Sequence, residues 1–238
     1  MGPQGTVHVI DWSVMTAAEL DAELEAVLAG EGKPATVVFC AAVPEARQAM
    51  LHQCLARRYP KARMQWLKVY KRRAGVRPAY ADTGSFGVDR YAALVGAKGK
   101  YPNTPVIIID LGTAITIDAM DGSGQHLGGL IMPGLGSLRD SLYEKAPHLR
   151  NLPVSQEHQL PKTALMPTNT SDAIEVGIHV MLTASIERIV SDLCVELPAS
   201  PQIILCGGDA ERMAKLFAFE AHIEPELVLD GMLVLSRL

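Results

Sequence analysis

Apolar positions along the chain change their period several times, and each change marks an element. Thr6–Ile10 reads as a strand. Over Thr16–Ala29 the residues Leu20, Leu24, Val27 and Leu28 recur at helical spacing, with Thr16 placed to cap the helix and Glu19 to complete a capping box. Thr36–Ala41 is an apolar strand, and Pro44 opens a helix over Glu45–Arg58. Met64–Val69 reads as a further strand, so the first third has a βαβα rhythm that ends in a strand.

Beyond that, Val88–Gly99 is helical in pattern, with Tyr91, Leu94 and Val95 as its apolar stripe. Val106–Asp110, Ala114–Met120 and Leu127–Ile131 follow as strands, joined by turns at Leu111-Gly112-Thr113 and Asp121-Gly122-Ser123-Gly124. Three strands this close predict a mixed sheet rather than a strictly alternating parallel one. Pro133-Gly134 leads to a helix through Ser137–Ala146, and the polar, proline-punctuated Asn151–Pro167 reads as a loop. Ser171–Leu197 is a long helix with apolar residues throughout, buried between layers or at a subunit contact. Gln202–Cys206 is a strand, Gly207-Gly208-Asp209-Ala210 turns into a helix from about Glu211, and Leu227–Leu229 leads to the apolar stretch Met232–Leu235.

With 238 residues, 48% of them hydrophobic, the chain can bury one large core or two small ones and is not disordered. A net charge of −4 gives no electrostatic case for nucleic acid. The densest basic run, Lys68, Lys71, Arg72, Arg73 and Arg77, is either a solvated loop face or a rim for an anionic nucleotide. Cys40, Cys54, Cys194 and Cys206 lack C-x-x-C spacing and sit in apolar settings, which predicts buried thiols rather than disulfides or zinc ligands. No apolar run reaches the length of a membrane span and no leader is evident, so a cytoplasmic protein is expected.

The candidate chemistry gathers in two short stretches. An Ile-rich strand delivers Asp110 at its C-terminal end, where open α/β sheets bind ligands, and Gly112 and Thr113 follow with a tight turn and a hydroxyl suited to phosphate. The alternative is a hairpin in which Asp110 only caps amides. Gly87-Val88-Asp89-Arg90 places a second carboxylate beside an arginine at a helix start. Asp89 there is either a general base for an attacking hydroxyl or an acid favoured by the helix dipole, and Arg90 would bind substrate or developing phosphate charge. Gly207-Gly208 either admits an adenosine against the backbone or makes a strand-to-helix turn. Thr170 reads as an N-cap or its neighbour, and no histidine spacing supports a metal cluster.

In order and approximate spacing, these residues resemble the type III pantothenate kinase family from about residue 75 onward. The matching text is Tyr80, Gly87-Val88-Asp89-Arg90, Asp110-Leu111-Gly112-Thr113-Ala114, His126-Leu127-Gly128-Gly129 with Pro133-Gly134, Thr170 through Ala173 with Ile174 and Gly177, Gly207-Gly208 and Leu227–Gly231. The resemblance implies an α/β fold of the actin-like ATPase superfamily: two ribonuclease-H-like lobes with mixed β-sheets flanked by helices, expected over residues 1–100 and 101–238. It implies ATP-dependent phosphorylation of pantothenate, a homodimer, Mg²⁺ or another divalent cation, and K⁺ or NH₄⁺.

By position, Asp89 resembles the catalytic base, and Asp110 the carboxylate near the monovalent cation. Gly112 and Thr113 resemble the second phosphate loop, and Gly207 and Gly208 the adenosine turn. Tyr80, Gly87, Val88, Asp89, Arg90 and Thr170 of the partner subunit resemble pantothenate contacts. The family opens on Asp-x-Gly-Asn-Thr or Asp-x-Gly-Asn-Ser, whereas the nearest text here, Val9-Ile10-Asp11-Trp12-Ser13, lacks the glycine. The first lobe is therefore expected to begin after that loop, and the chain to be a poor kinase. A non-catalytic paralogue with a binding or regulatory role is the alternative.

Overall fold

The capping box at Thr16 forms: its amide donates to the Glu19 carboxylate at 2.7 Å, and the Glu19 amide donates to the Thr16 hydroxyl at 3.3 Å. It starts helix α1 (Ala17–Val27), which is followed by strand β1 (Thr36–Phe39), helix α2 (Glu45–Arg58) and strand β2 (Arg63–Trp66). The computed structural model describes residues 15–40, 43–151, 165–197 and 199–238. The strand expected at Thr6–Ile10, the Val9–Ser13 stretch and most of the loop Asn151–Pro167 lie outside these described residues.

The chain divides into two compact units, Met1–Lys68 and Val69–Leu238. In the first, β1 and β2 pair in parallel from Thr36↔Arg63 to Phe39↔Trp66, with α2 as the crossover. β2 ends at Trp66 rather than Val69 because β1, its only partner among the described residues, offers four residues. Leu20, Leu24 and Cys54 form the small core between α1 and α2, and Phe39 stacks on Trp66 at 4.4 Å between ring centres.

The second unit contains helix α3 (Val88–Lys100), strands β3 (Val106–Leu111), β4 (Ala114–Met120) and β5 (His126–Pro133), and helices α4 (Leu135–Lys145) and α5 (Thr170–Glu196). Strand β6 (Gln202–Cys206), helix α6 (Ala210–Ala214), strand β7 (His222–Ile223) and helix α7 (Leu227–Ser236) complete it. The sheet order is β5-β4-β3-β6-β7. β3, β4 and β5 run antiparallel to their neighbours, while β3, β6 and β7 are parallel. This is the mixed sheet of a ribonuclease-H-like lobe, flanked by helices on both faces.

Residues of β3 alternate between the two faces of the sheet. Ile107, Ile109 and Leu111 join Ile178, Leu182 and Ile186 of α5 in the main core. Val106, Ile108 and Asp110 take the other face, with α3. Within the second unit α3 packs along α7.

That helix pair is close because both partners are bare where they meet. A Cβ at Gly231 would run into the Ala92 carbonyl, and one at Gly96 into the Leu227 carbonyl. α7 runs as one helix over Leu227–Ser236, where the sequence offered Leu227–Leu229 and a separate apolar stretch. A second difference concerns the thiols. Cys54 and Cys206 are buried and Cys40 half-buried, but Cys194 is exposed. It lies on an outer face of α5 where Val180, Met181 and Val195 are exposed too, so an apolar neighbourhood in sequence is not a buried one there.

The Gly231→Ala variant is expected to lose about 1–3 kcal/mol of stability through forced separation of α3 and α7. Gly99→Ala, where a Cβ meets nothing within 4 Å, should be neutral or stabilising by up to roughly 1 kcal/mol. Urea unfolding midpoints of the two variants decide it; equal midpoints would contradict the packing.

Candidate active site

Helix α3 begins at Gly87, which supplies no side-chain cap. Asp89 fills that role from the first turn, its carboxylate accepting the Arg90 amide at 2.8 Å. The next side chain turns inward. Arg90 is 7% exposed, and its Nε and Nη2 donate to the two carboxylate oxygens of Asp118 at 2.8 and 2.7 Å. Asp118 sits on β4 directly opposite Ile108 of β3 and Gly129 of β5, so the sheet face that carries Asp110 also carries the arginine's partner. Gly129 must be bare, since a Cβ there would strike both Arg90 Nη2 and Asp118 Oδ1.

A fully buried histidine completes the arrangement. His126 Nδ1 accepts the Ala79 amide at 3.3 Å, which leaves Nε2 to carry the proton and donate to Asp118 Oδ1 at 2.9 Å. Around this polar core lie aromatic rings. Phe86 stacks on His126 at 4.9 Å and tilts against Tyr80 at 4.6 Å. The Arg90 guanidinium carbon lies 4.9 Å from the Phe86 ring centre, within cation–π range. The Tyr80 hydroxyl is 3.3 Å from Arg90 Nη1.

Asp110 occupies the penultimate position of β3, paired with Thr116 of β4 and Cys206 of β6. Burial raises its pKa above the ordinary carboxylate value, and the charges of Asp89 and Asp118 raise it further. The neighbouring Cys206 thiol is pushed up by burial and by the charges of Asp110 and Asp118. Gly207 completes this wall. It has φ +89°, and a Cβ would collide with Asp110 Oδ1 and the Leu111 carbonyl, so only glycine fits.

The sequence-derived candidates therefore divide. Tyr80, Gly87, Val88, Asp89 and Arg90 form one continuous wall, and Asp110 with Gly207 lies within electrostatic reach of Asp89. Gly112 and Thr113 adjoin Asp110 in the β3–β4 turn. There the Gly112 amide donates to the Ala114 carbonyl at 3.2 Å and closes the turn, so the exposed tip of the loop is Thr113. Its carbonyl is braced by the Gly134 amide at 2.9 Å and the Ser137 hydroxyl at 2.7 Å. Gly208 is exposed, and a Cβ there would meet nothing.

Thr170 is the first residue of α5, exposed, with Asn169 as the N-cap that accepts the Asp172 amide at 2.9 Å. Among the described residues no contact joins Thr170 to the Asp89–Arg90 wall. Two participants were not singled out from sequence as site residues: Asp118, and His126 as its partner. The available signal was an acid in the middle of the apolar strand Ala114–Met120, a place that demands a buried partner.

A profile of the type III pantothenate kinase family matches residues 7–192. The chain belongs to the type III pantothenate kinase family. Among curated members it is 36% identical over 172 residues to the enzyme named type III pantothenate kinase from Azoarcus sp. (strain BH72), covering 72% of this chain and 62% of that one. With the protein of the same name from Laribacter hongkongensis it shares 38% over 175 residues, 74% of this chain and 70% of the relative. The chain thus spans less than two thirds of the length of the Azoarcus relative. A solved structure of a Baf family protein from Campylobacter jejuni superposes with a TM-score of 0.56 at 21% identity, over 92% of this chain and 87% of that one, and supports the fold.

A carboxylate with a raised pKa keeps its proton in the folded state at pH values where the unfolded chain has lost it. Stability therefore falls as pH rises through that window. Asp110→Asn is expected to raise the melting temperature at pH 7, with the gain vanishing below about pH 3, where even an unperturbed aspartate is protonated. Scanning calorimetry at the two pH values tests this; a destabilised variant at pH 7 would show that Asp110 makes an attractive contact instead.

Proposed function

We propose that the chain phosphorylates pantothenate with ATP, giving 4′-phosphopantothenate at the entry to coenzyme A synthesis. What supports the reading most is the half-buried Asp89 carboxylate, held at the N-terminus of α3 between an arginine committed to the sheet and the electrostatically stressed Asp110.

Asp89 takes the proton from the substrate's primary hydroxyl as its oxygen bonds to the γ-phosphorus. The bond from that phosphorus to the bridging oxygen of ADP breaks, and ADP leaves. Arg90, Tyr80, Gly87 and Val88 hold the pantothenate, with Thr170 of the partner subunit closing over it. Thr113 and Gly112 bracket the phosphates, and Gly207 and Gly208 give the adenosine a flat backbone.

A divalent cation travels with ATP as part of the substrate. Among the described residues no group of three or more His, Cys, Asp or Glu side chains could hold a metal alone. Asp110 nevertheless fits a shared cation, because positive charge beside it would offset its repulsion from Asp89 and Asp118. K⁺ or NH₄⁺ there would supply charge neutralisation between carboxylate and phosphates. A homodimer suits the β5 edge, where Leu127, Leu130 and Ile131 are 51%, 47% and 66% exposed. Val180 and Met181 of α5 are exposed as well. No helix among the described residues is long and apolar enough to cross a membrane, and cytoplasmic CoA synthesis is the setting the reading assumes.

ADP release by the full chain with ATP, Mg²⁺ and K⁺ is expected to depend on pantothenate. Asp89→Asn should lower kcat by roughly 10²–10⁴-fold while the protein stays folded. Release that ignores pantothenate, or its absence altogether, would overturn the kinase reading in favour of a binding role.

A further inference from the structure

The arginine of the site cannot choose its own orientation. Of five guanidinium N–H groups, two go to Asp118 and one faces the Tyr80 hydroxyl. Two remain for a ligand, one on each terminal nitrogen. The direction in which they point is set by the plane of the Asp118 carboxylate, and that plane is set in turn by His126. The imidazole is 0% exposed and held on both sides, by the Ala79 amide at Nδ1 and Asp118 Oδ1 at Nε2. The Ala79 contact also fixes the backbone immediately before Tyr80, whose hydroxyl flanks the same guanidinium.

We propose that His126 is a positioning residue. Through Asp118 it presets the Arg90 guanidinium, and through Ala79 the Tyr80 hydroxyl, so that the two form one rigid seat for the substrate's carboxylate. This rests on the proposed reading of Arg90 and Tyr80 as pantothenate contacts, and adds a residue with no atom available to the ligand. Asp118 has consumed the arginine's Nε–Nη2 edge, and the two N–H groups left, one on each terminal nitrogen, suit the paired oxygens of a carboxylate flanked by the Tyr80 hydroxyl.

The two ring nitrogens can be separated by substitution. His126→Gln reaches the Nε2 position with an amide and keeps a donor for Asp118. His126→Asn places its amide at the Nδ1 position, keeping an acceptor for Ala79 and losing Asp118. His126→Phe loses both and keeps the ring against Phe86.

Steady-state kinetics of the full chain with pantothenate, and with the analogue whose carboxylate is replaced by a primary alcohol, give the first readout. His126→Asn and His126→Phe are expected to raise KM for pantothenate by about 10–100-fold, the size of effect seen for outer-shell partners. KM for ATP and KM for the alcohol analogue should be unmoved, and His126→Gln should recover most of the loss. The second readout is independent of turnover: the ¹⁵N-edited proton resonance of Arg90 Nε–H, assigned by its loss in Arg90→Lys. It should be protected from exchange in the parent and in His126→Gln, and exposed in His126→Asn and His126→Phe.

Equal KM increases for pantothenate and the alcohol analogue would reduce His126 to a structural role and overturn the inference, as would an Arg90 resonance unaffected by any variant. If the parent itself does not turn over pantothenate, the proposed function fails on that result alone. The resonance then still decides whether His126 orients Arg90.

Discussion

The buried pair between Arg90 and Asp118 joins the first turn of a helix to the middle of a sheet, and the geometry of the whole wall follows from it. A guanidinium that is 7% exposed beside a carboxylate that is 3% exposed tolerates no loosening, because each charge without the other would cost several kcal/mol in the interior. The pair therefore pins the start of α3 to β4. That pin carries Asp89, one residue earlier, to a fixed distance from the sheet. Gly129 is bare beneath the pair because a Cβ there would strike both partners, and His126 is buried at its flank, bonded to Asp118. Tyr80 and Phe86 then seal the polar core from water, which strengthens every interaction inside it.

On the same sheet face the opposite condition holds a short distance away. Among the described residues no cation offsets the charge of Asp110, which feels two other carboxylates, so its burial is unfavourable. The fold tolerates this because β3 is buried between strong partners: β4 and β6 pair along its length, and α5 covers the face turned away from Asp110. One strand thus carries the main core on its odd residues and the strained chemistry on its even ones. The stability of the first set sustains the instability of the second, a division common at functional sites.

Much of this was legible in the chain and some was not, for physical reasons that differ by residue. The capping box at Thr16, the Ile-rich β3 and the glycine turns depend on local chemistry, and they formed as their residues dictate. The ends of β2 and α5 depend on what is available to pair or cap, and there the four-residue reach of β1 and the Asn169 side chain decided. Cys194 misled because an exposed helix face can be as apolar as a buried one. Asp118 and His126 were unreadable as a unit. They are eight residues apart on neighbouring strands, meet only because the β4–β5 hairpin folds back, and act on an arginine from a different element.

The crossing of α3 and α7 has one more consequence. Neither Gly96 nor Gly231 can acquire even a methyl group without pushing the other helix away, and no reduction at the partner position can compensate, because both are already glycine. The two positions are therefore frozen against drift, singly and together. Across relatives that preserve the crossing, both glycines would be invariant although neither touches a ligand. Invariance there would report the thickness of a helix contact, and anyone ranking positions by constancy alone would place them beside Asp89.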